Sequence, residues 1–265
     1  MTARCLRDIF AAKLPEDVRL AVYVVDDASD DGTVDVIRDE FPRVNLIEGQ
    51  GNLFWGGAMR RAMACAMTDR HDFYLWLNDD VELFPTAIHD ALATYDDLCR
   101  RGEQPIVCGA TCDAQGVTTY SGMKLKGYNP LGFSRTEPQA GVATRCDTAN
   151  GNFVLIPAAG AVAVGNIDPR FSHRIGDIDY MLRADRLGFS CWISPGYVGM
   201  CTRNQVGSAW QSSAYSLRER WKFLTSPVGL PPKQWLFFGY RQAGVLGFAA
   251  ALLHFRLLLL PRATK

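Results

Sequence analysis

Apolar positions in this chain fall into short blocks whose period switches between strand-like and helix-like spacing. "LAVYVVDDAS" (20–29) is a Val-rich strand pattern ending in acids, and "DDGT" turns it into the helical pattern "VDVIRDEF". "VNLIEGQGN" (44–52) reads as a short strand running into glycines, "GGAMRRAMACAM" (56–67) as a helix, and "DFYLWLNDD" (72–80) as the next strand. Pro85 opens a helix through "TAIHDALATYDDLCRR", because a proline at a helix start loses no needed N–H. Strand, helix, strand, helix, strand at this spacing predicts a doubly wound, mostly parallel α/β sheet. Each cluster of acids or glycines falls at a strand's carboxyl end, where such sheets bind ligands.

The pattern changes near residue 105. "PIVCGATCDAQG", "VTTYSGMKLKG" and "GNFVLIP" are short strands and turns, predicting an irregular, partly antiparallel half over the same edge. A helix follows from about Asp177 to Leu187, with Gly188 as its C′ residue. Ile178, Met181 and Leu182 form its apolar stripe, and Asp179, Arg183 and Arg186 lie on the other face. The expected organisation is 1–104 and 105–212 as two halves of one domain, with 213–265 as a helical extension.

Composition narrows the function classes. The 265 residues are 48% hydrophobic, enough for a real core, and 28 basic residues balance 28 acidic ones. No global charge therefore points to nucleic acid. The eight cysteines have no paired C-x-x-C spacing and read as small reduced core residues of a cytoplasmic protein. "MTARCLRDIFAAKL" reads as an amphipathic helix without the apolar run of a signal peptide.

The chemistry concentrates in three acidic groups. Asp26 and Asp27 end the first strand, where capping a turn is the simplest role. Asn78, Asp79 and Asp80 end a strongly apolar strand, so two adjacent carboxylates lose hydration and repel each other unless something completes them. A divalent cation held by a carboxylate and substrate phosphates would do so. Asp177 and Asp179 open the later helix, where a carboxylate satisfies free N–H groups but can also accept a proton in a dry site.

Taken together, "VVDDASDDGT", "GQGNLFWGGAMRRAM", "LWLNDDVELFP", "NGNFVLIP" and "VGNIDPRFSHRIGDIDYMLRADRLGFSCWISP" resemble a family 2 glycosyltransferase of the GT-A fold, close to rhamnosyltransferase-like bacterial members. The resemblance runs from about residue 20 to 196, in the family's order. It implies that Asp27 contacts the base or ribose of a nucleotide-sugar and that Gly51, Asn52 and Gly57 let the backbone approach it. Asn78 stands where many relatives carry an acid. Asp79 would lie near the ribose, and Asp80 would coordinate Mg2+ or Mn2+ bridging to the diphosphate. Asp177 matches the second residue of the family's Glu-Asp pair and would be the catalytic base. Gly176 replaces the Glu, which leaves Asp179 as the supporting group. The implied reaction is inverting transfer of a sugar to a hydroxyl of a glycan or lipid-linked acceptor.

His173, Trp55 and Trp192 carry less weight and read first as loop or packing residues. Cys201, Arg203 and Asn204 follow the last strand, and Cys201 is a poor ligand for hard magnesium. A nucleotidyltransferase and a non-catalytic relative remain the alternative readings.

Two features depart from the family at the ends. The family's first strand is absent ahead of "ARCLRDIFAAKL", which would leave the strands at 20–27 and 73–79 without a shared neighbour; a start site placed too late is the preferred explanation. The extension, with Arg218, Arg220, Lys222 and Lys233 beside a growing apolar run, fits a helix lying on the inner face of the cell membrane or packing back on the domain. A spanning helix needs about 20 mostly apolar residues, and His254 and Arg256 interrupt this run.

Overall fold

A computed structural model describes residues 1–127, 129–202 and 210–259. It begins with helix α1 (Thr2–Ala11), followed by β1 (Val22–Asp26), α2 (Thr33–Glu40), β2 (Val44–Glu48), α3 (Phe54–Thr68), β3 (Phe73–Leu77), β4 (Glu82–Leu83) and α4 (Ala87–Arg100). Next come β5 (Pro105–Cys112), β6 (Thr118–Tyr120), β7 (Gly122–Lys126), β8 (Asn129–Arg135), β9 (Thr144–Cys146), β10 (Thr148–Ala149) and β11 (Phe153–Pro157). The chain then runs through α5 (Ala158–Val164), α6 (Gly176–Arg186), β12 (Ser190–Met200), α7 (Leu217–Thr225), α8 (Pro232–His254) and α9 (Arg256–Leu259). The fold is α/β, as the alternating periods predict.

The main sheet has the order β3-β11-β5-β12-β4, with β6 added on β5 and β9 on β12. β11 is antiparallel to both β3 and β5, while β12 is parallel to β5, so the long strands β3, β5 and β12 share one direction. Every residue of β5 and of β11 is buried, and both sequences are dominated by apolar residues for that reason. β1 and β2 form a separate parallel pair, and β10-β7-β8 a small third sheet.

Local chemistry ends the elements where the sequence signals it. α6 stops at Leu187, and Gly188 takes φ +90. Its N–H donates to Asp185 and that of Phe189 to Ala184, the paired bonds of a Schellman end. Ser216 and Glu219 form a reciprocal capping box at the start of α7. α4 starts after Thr86, slightly later than Pro85, whose carbonyl instead accepts the Lys13 N–H.

The extension packs one face back on the domain. Trp210, Leu224, Trp235, Phe238 and Ala251 join Phe171, Ile175 and Leu182 in one buried cluster. This overturns the expected outer face of α6: Asp179 is 0% exposed, because α8 covers it. α8 is long and apolar enough to cross a membrane by length and composition. Its backbone, however, breaks at Ala243 and Gly244, and Gly239 and Gly247 then meet so closely that a Cβ on Gly247 would lie 1.9 Å from the Gly239 carbonyl. Each limb has about ten residues, roughly 15 Å at the helical rise, half of the ~30 Å apolar layer. The element is a helical hairpin.

Candidate active site

A cavity of about 1620 Å³ opens at the carboxyl ends of β1 and β3 and is lined by Asp27, Asn78, Asp79, Asp80, His173 and Asp177, among others. Residues from three distant stretches thus face one space. Gly51, Asn52, Gly57 and Asp179 do not line it; Gly51 and Asn52 belong to the loop that Asp27 holds, and Gly57 is buried in α3.

Asp27 has its two oxygens engaged by four backbone N–H groups. Oδ1 accepts from Gly51 (2.7 Å) and Asn52 (3.2 Å), and Oδ2 from Leu53 (2.7 Å) and Phe54 (3.3 Å). Burial works against the charge, but these donors outweigh it and hold the carboxyl below its usual value. The side chain therefore caps the start of α3 from across the sheet. Gly49 makes room for it, since a Cβ there would sit 2.5 Å from Asp27 Oδ1. Gly51 adopts φ +82, a left-handed turn that favours glycine. Gly57 lies inside α3, where a Cβ would meet Leu53 at 3.2 Å.

The β3 end is built differently. Asn78 Oδ1 accepts from Trp55 Nε1 at 2.7 Å, which consumes its amide oxygen on α3. Asp79 is exposed and accepts from the Thr2 hydroxyl. Asp80 Oδ1 is buried and has no hydrogen-bond partner among the described residues. Burial raises its pKa and the Asp79 charge raises it further, while the Cys201 thiol opposes the shift. Burial, together with the Asp80 charge, drives Cys201 to about 12. Cys201 offers only soft sulfur, so hard oxygen from Asp80 is the donor that fits Mg2+ or Mn2+. Arg203 and Asn204 lie outside the described residues.

Asp177 sits in the first turn of α6, where Oδ2 accepts from Gly151 N–H (2.8 Å) and Oδ1 from Ile178 N–H (2.8 Å). Burial raises its pKa against those two donors and the nearby Arg174 charge. Gly176 has no room for a side chain, because a Cβ would lie 2.9 Å from Ile167 Cγ2. Ile175 before it holds φ +73, a costly conformation for a β-branched residue. Ala28 (φ 62) and Phe54 (φ 53) are strained in the same way beside Asp27 and its loop. Backbone strain thus flanks both carboxylates.

Asp179 is placed away from the cavity. It pairs with Arg183 (2.9 Å) and Arg241 (2.7 Å), and Arg241 also holds Asp168. The correction has a packing cause: α8 supplies Arg241, which the helical period of α6 alone could not reveal.

Several cleft residues carry no clear sequence signal. Gly151 must be glycine, since a Cβ would lie 2.3 Å from the Trp55 ring, and Trp55 in turn packs edge-on against Trp76. His173 Nδ1 is buried without a partner among the described residues, and burial, with the Arg174 charge, lowers its pKa. Trp192 lies away from the cleft and donates to Ser190.

The sequence model of the family described as glycosyl transferase family 2 matches residues 1–146, more than half of the 265-residue chain. The chain belongs to glycosyl transferase family 2. No curated protein matches it. Among solved structures it is similar to the crystal structure of GalNAc-T7 with UDP, GalNAc and Mn2+, with a TM-score of 0.58 and 12% identity over 91% of this chain. The chain spans 47% of that structure's length, and the likeness concerns the fold. Family membership agrees with a cleft at the carboxyl ends of the strands.

Proposed function

We propose that this family 2 protein is an inverting, metal-dependent glycosyltransferase that moves a sugar from a nucleotide-diphosphate donor to a hydroxyl of a glycan or lipid-linked acceptor. One observation carries the reading: two carboxylates whose pKa burial raises, Asp80 and Asp177, line the same cavity from different elements. Asp80 would hold Mg2+ or Mn2+ together with diphosphate oxygens. When bound, that ion offsets charge on the leaving diphosphate. The likeness to a structure solved with UDP and Mn2+ supports the donor class.

The chain's own residues do the remaining work. Gly151 and Ile178 N–H groups orient the Asp177 carboxylate, and burial makes it more basic. Asp177 takes the acceptor's proton as that oxygen attacks the anomeric carbon from the face opposite the diphosphate, which inverts the centre. Asp27 shapes the donor side through the 51–54 loop, with Gly51, Asn52 and Gly57 close to the nucleotide, while Asp79 lies at the ribose side. Arg174, lining the same cavity, offers positive charge to the diphosphate or acceptor.

Placement at a membrane surface is part of the proposal, and the exposed surface of the extension supports it. Leu217 and Trp221 on α7 are exposed beside Arg218 and Lys222, and Val245 (77%) and Leu246 (79%) project at the hairpin turn of α8. An apolar edge with adjacent basic groups suits peripheral binding at the cytoplasmic leaflet and a lipid-linked acceptor. Equal vesicle flotation with and without residues 213–265 would remove this part.

The test is incubation with a panel of nucleotide-sugars and Mn2+, deoxythymidine diphosphate rhamnose first among them. Nucleoside diphosphate release with sugar transfer supports the reading. Pyrophosphate release would make the protein a nucleotidyltransferase, and binding without turnover a non-catalytic relative.

A further inference from the structure

Three of the eight cysteines meet on one face of the main sheet. Cys191 stands on β12, with Cys146 directly opposite it on β9, and Cys108 on β5 lies opposite Ile193. Side chains two positions apart on a strand share a face, so Cys191 and Ile193 point the same way and their partners with them. All three thiols therefore turn to one side of the neighbouring strands β9, β12 and β5. Cys146 Sγ lies 3.4 Å from Cys191 Sγ and 3.9 Å from Cys108 Sγ, and all three sulfurs fall within 4.8 Å of one another.

The surroundings leave the space to sulfur. The three cysteines are free and buried, in a core cluster that also holds Ala149, Tyr180, Met181 and Ile193. No Asp, Glu or His joins the three sulfurs among the described residues. Gly122 on β7 makes room beside them, since a Cβ there would lie 2.5 Å from Cys146 Sγ. None of the three lines the cavity of Asp27, Asp80 and Asp177, so the proposed reaction does not use them.

Spacing and donor type together define a ligand. With a metal–sulfur bond of ~2.3 Å, three sulfurs around one ion sit roughly 4 Å from each other. That is close to the spacing already present. A disulfide between Cys146 and Cys191 would instead need their sulfurs about 1.4 Å closer. Soft sulfur selects Zn2+ or Cu+ over the hard ions Mg2+ and Mn2+. On coordination each thiol gives its proton to solvent, and the cation offsets charge that three buried thiolates could not carry alone.

We propose that Cys108, Cys146 and Cys191 form a buried three-sulfur site for one soft cation with a filled d shell, Zn2+ or Cu+. The ion ties β9, whose ladder among the described residues is to β12 alone, to β5 as well. β9 leads through β10 to Gly151, whose N–H holds Asp177, so the bound ion steadies the strand behind that contact. This inference does not depend on the proposed reaction.

The test uses the full chain, reduced and kept free of oxygen, with Cys65 and Cys99, the two cysteines outside the buried set, changed to serine. Zn2+ or Cu+ is offered in competition with a coloured chelator, both to the folded protein and during refolding. Uptake of about one ion per chain that excess Mn2+ does not displace, with a Tm rise of about 3 °C or more, supports the site. Cys146→Ala in the same background should weaken uptake by ~100-fold or more, beyond the usual cost of losing an outer partner. X-ray absorption on the loaded parent should count three sulfurs on the metal, and this measurement decides if Cys146→Ala does not fold. Uptake of neither ion by either route overturns the site. So does undiminished uptake by Cys146→Ala, or a bound metal with fewer than three sulfur neighbours.

Discussion

Asp27 and Asp179 are held by donors that offset their burial, whereas at Asp80 and Asp177 burial outweighs the donors. On the donor side, Asp27 takes four backbone N–H groups, and under the extension Asp179 takes two arginines. In the cleft, Asp80 has a buried oxygen with no partner among the described residues, and Asp177 has two backbone donors that do not overcome its burial. A saturated carboxylate holds structure together, since its charge is already neutralised by fixed dipoles or cations. An under-satisfied one is poised to gain more from a ligand or a proton than it has from the protein. All four belong to similar acidic motifs, so residue type alone does not separate the two classes.

The largest effect should come from Asp177→Asn. Turnover is expected to fall by roughly two to four orders of magnitude, with Tm at neutral pH not lowered. The stability sign follows from the direction of the shift: a carboxyl whose folded pKa is raised favours the fold while protonated. That contribution fades as pH climbs from the unfolded pKa through the folded one. Unchanged transfer in this variant would move the base elsewhere and erase the distinction from Asp179.

Asp179→Ala should do the reverse. It strips Arg183 and Arg241 of a buried partner, and a cost of about 3–5 kcal/mol is typical of a broken buried pair. Thermal unfolding should show a Tm lower by several degrees, while kcat of the folded fraction changes little. A selective loss of kcat with intact Tm would return Asp179 to the catalytic group.

Asp80→Ala should weaken Mn2+-dependent donor binding by at least about tenfold, read by calorimetry with and without chelator. Equal affinity would reject the metal assignment. Asp27→Ala should cost about 1–3 kcal/mol through four freed N–H groups, with a rise in donor KM as the 51–54 loop loosens. Its stability contribution has the opposite pH sign to that of Asp177: the lowered pKa gives stability that is present above the unfolded value and lost as pH falls through the folded one. A pH–rate profile supplies the smallest and finest check. Activity should rise with pH through an apparent pKa above the ordinary Asp range, set by Asp177.

Much of the frame was readable in the chain. β1, β2, α3, β3 and α6 lie where their periods place them, because strand and helix spacing and the Gly188 stop are local chemistry. The convergence of Asp27, Asp80 and Asp177 follows from acids placed at strand and helix ends of one sheet edge. The extension was less legible. Its apolar run does not distinguish a spanning helix from a hairpin, since the fold-back rests on backbone angles at Ala243 and Gly244 and on contact between Gly239 and Gly247.

What the sequence determined by itself is the order of elements and the set of acids, since hydrophobic period and capping chemistry act over a few residues. Only the tertiary structure decided which acids stay under-satisfied. Arg241 comes to Asp179 from 62 positions away and the 51–54 loop to Asp27 from about 25, whereas no described residue hydrogen-bonds the buried Oδ1 of Asp80. Satisfaction of a charge depends on neighbours brought by packing, and packing is a property of the whole chain.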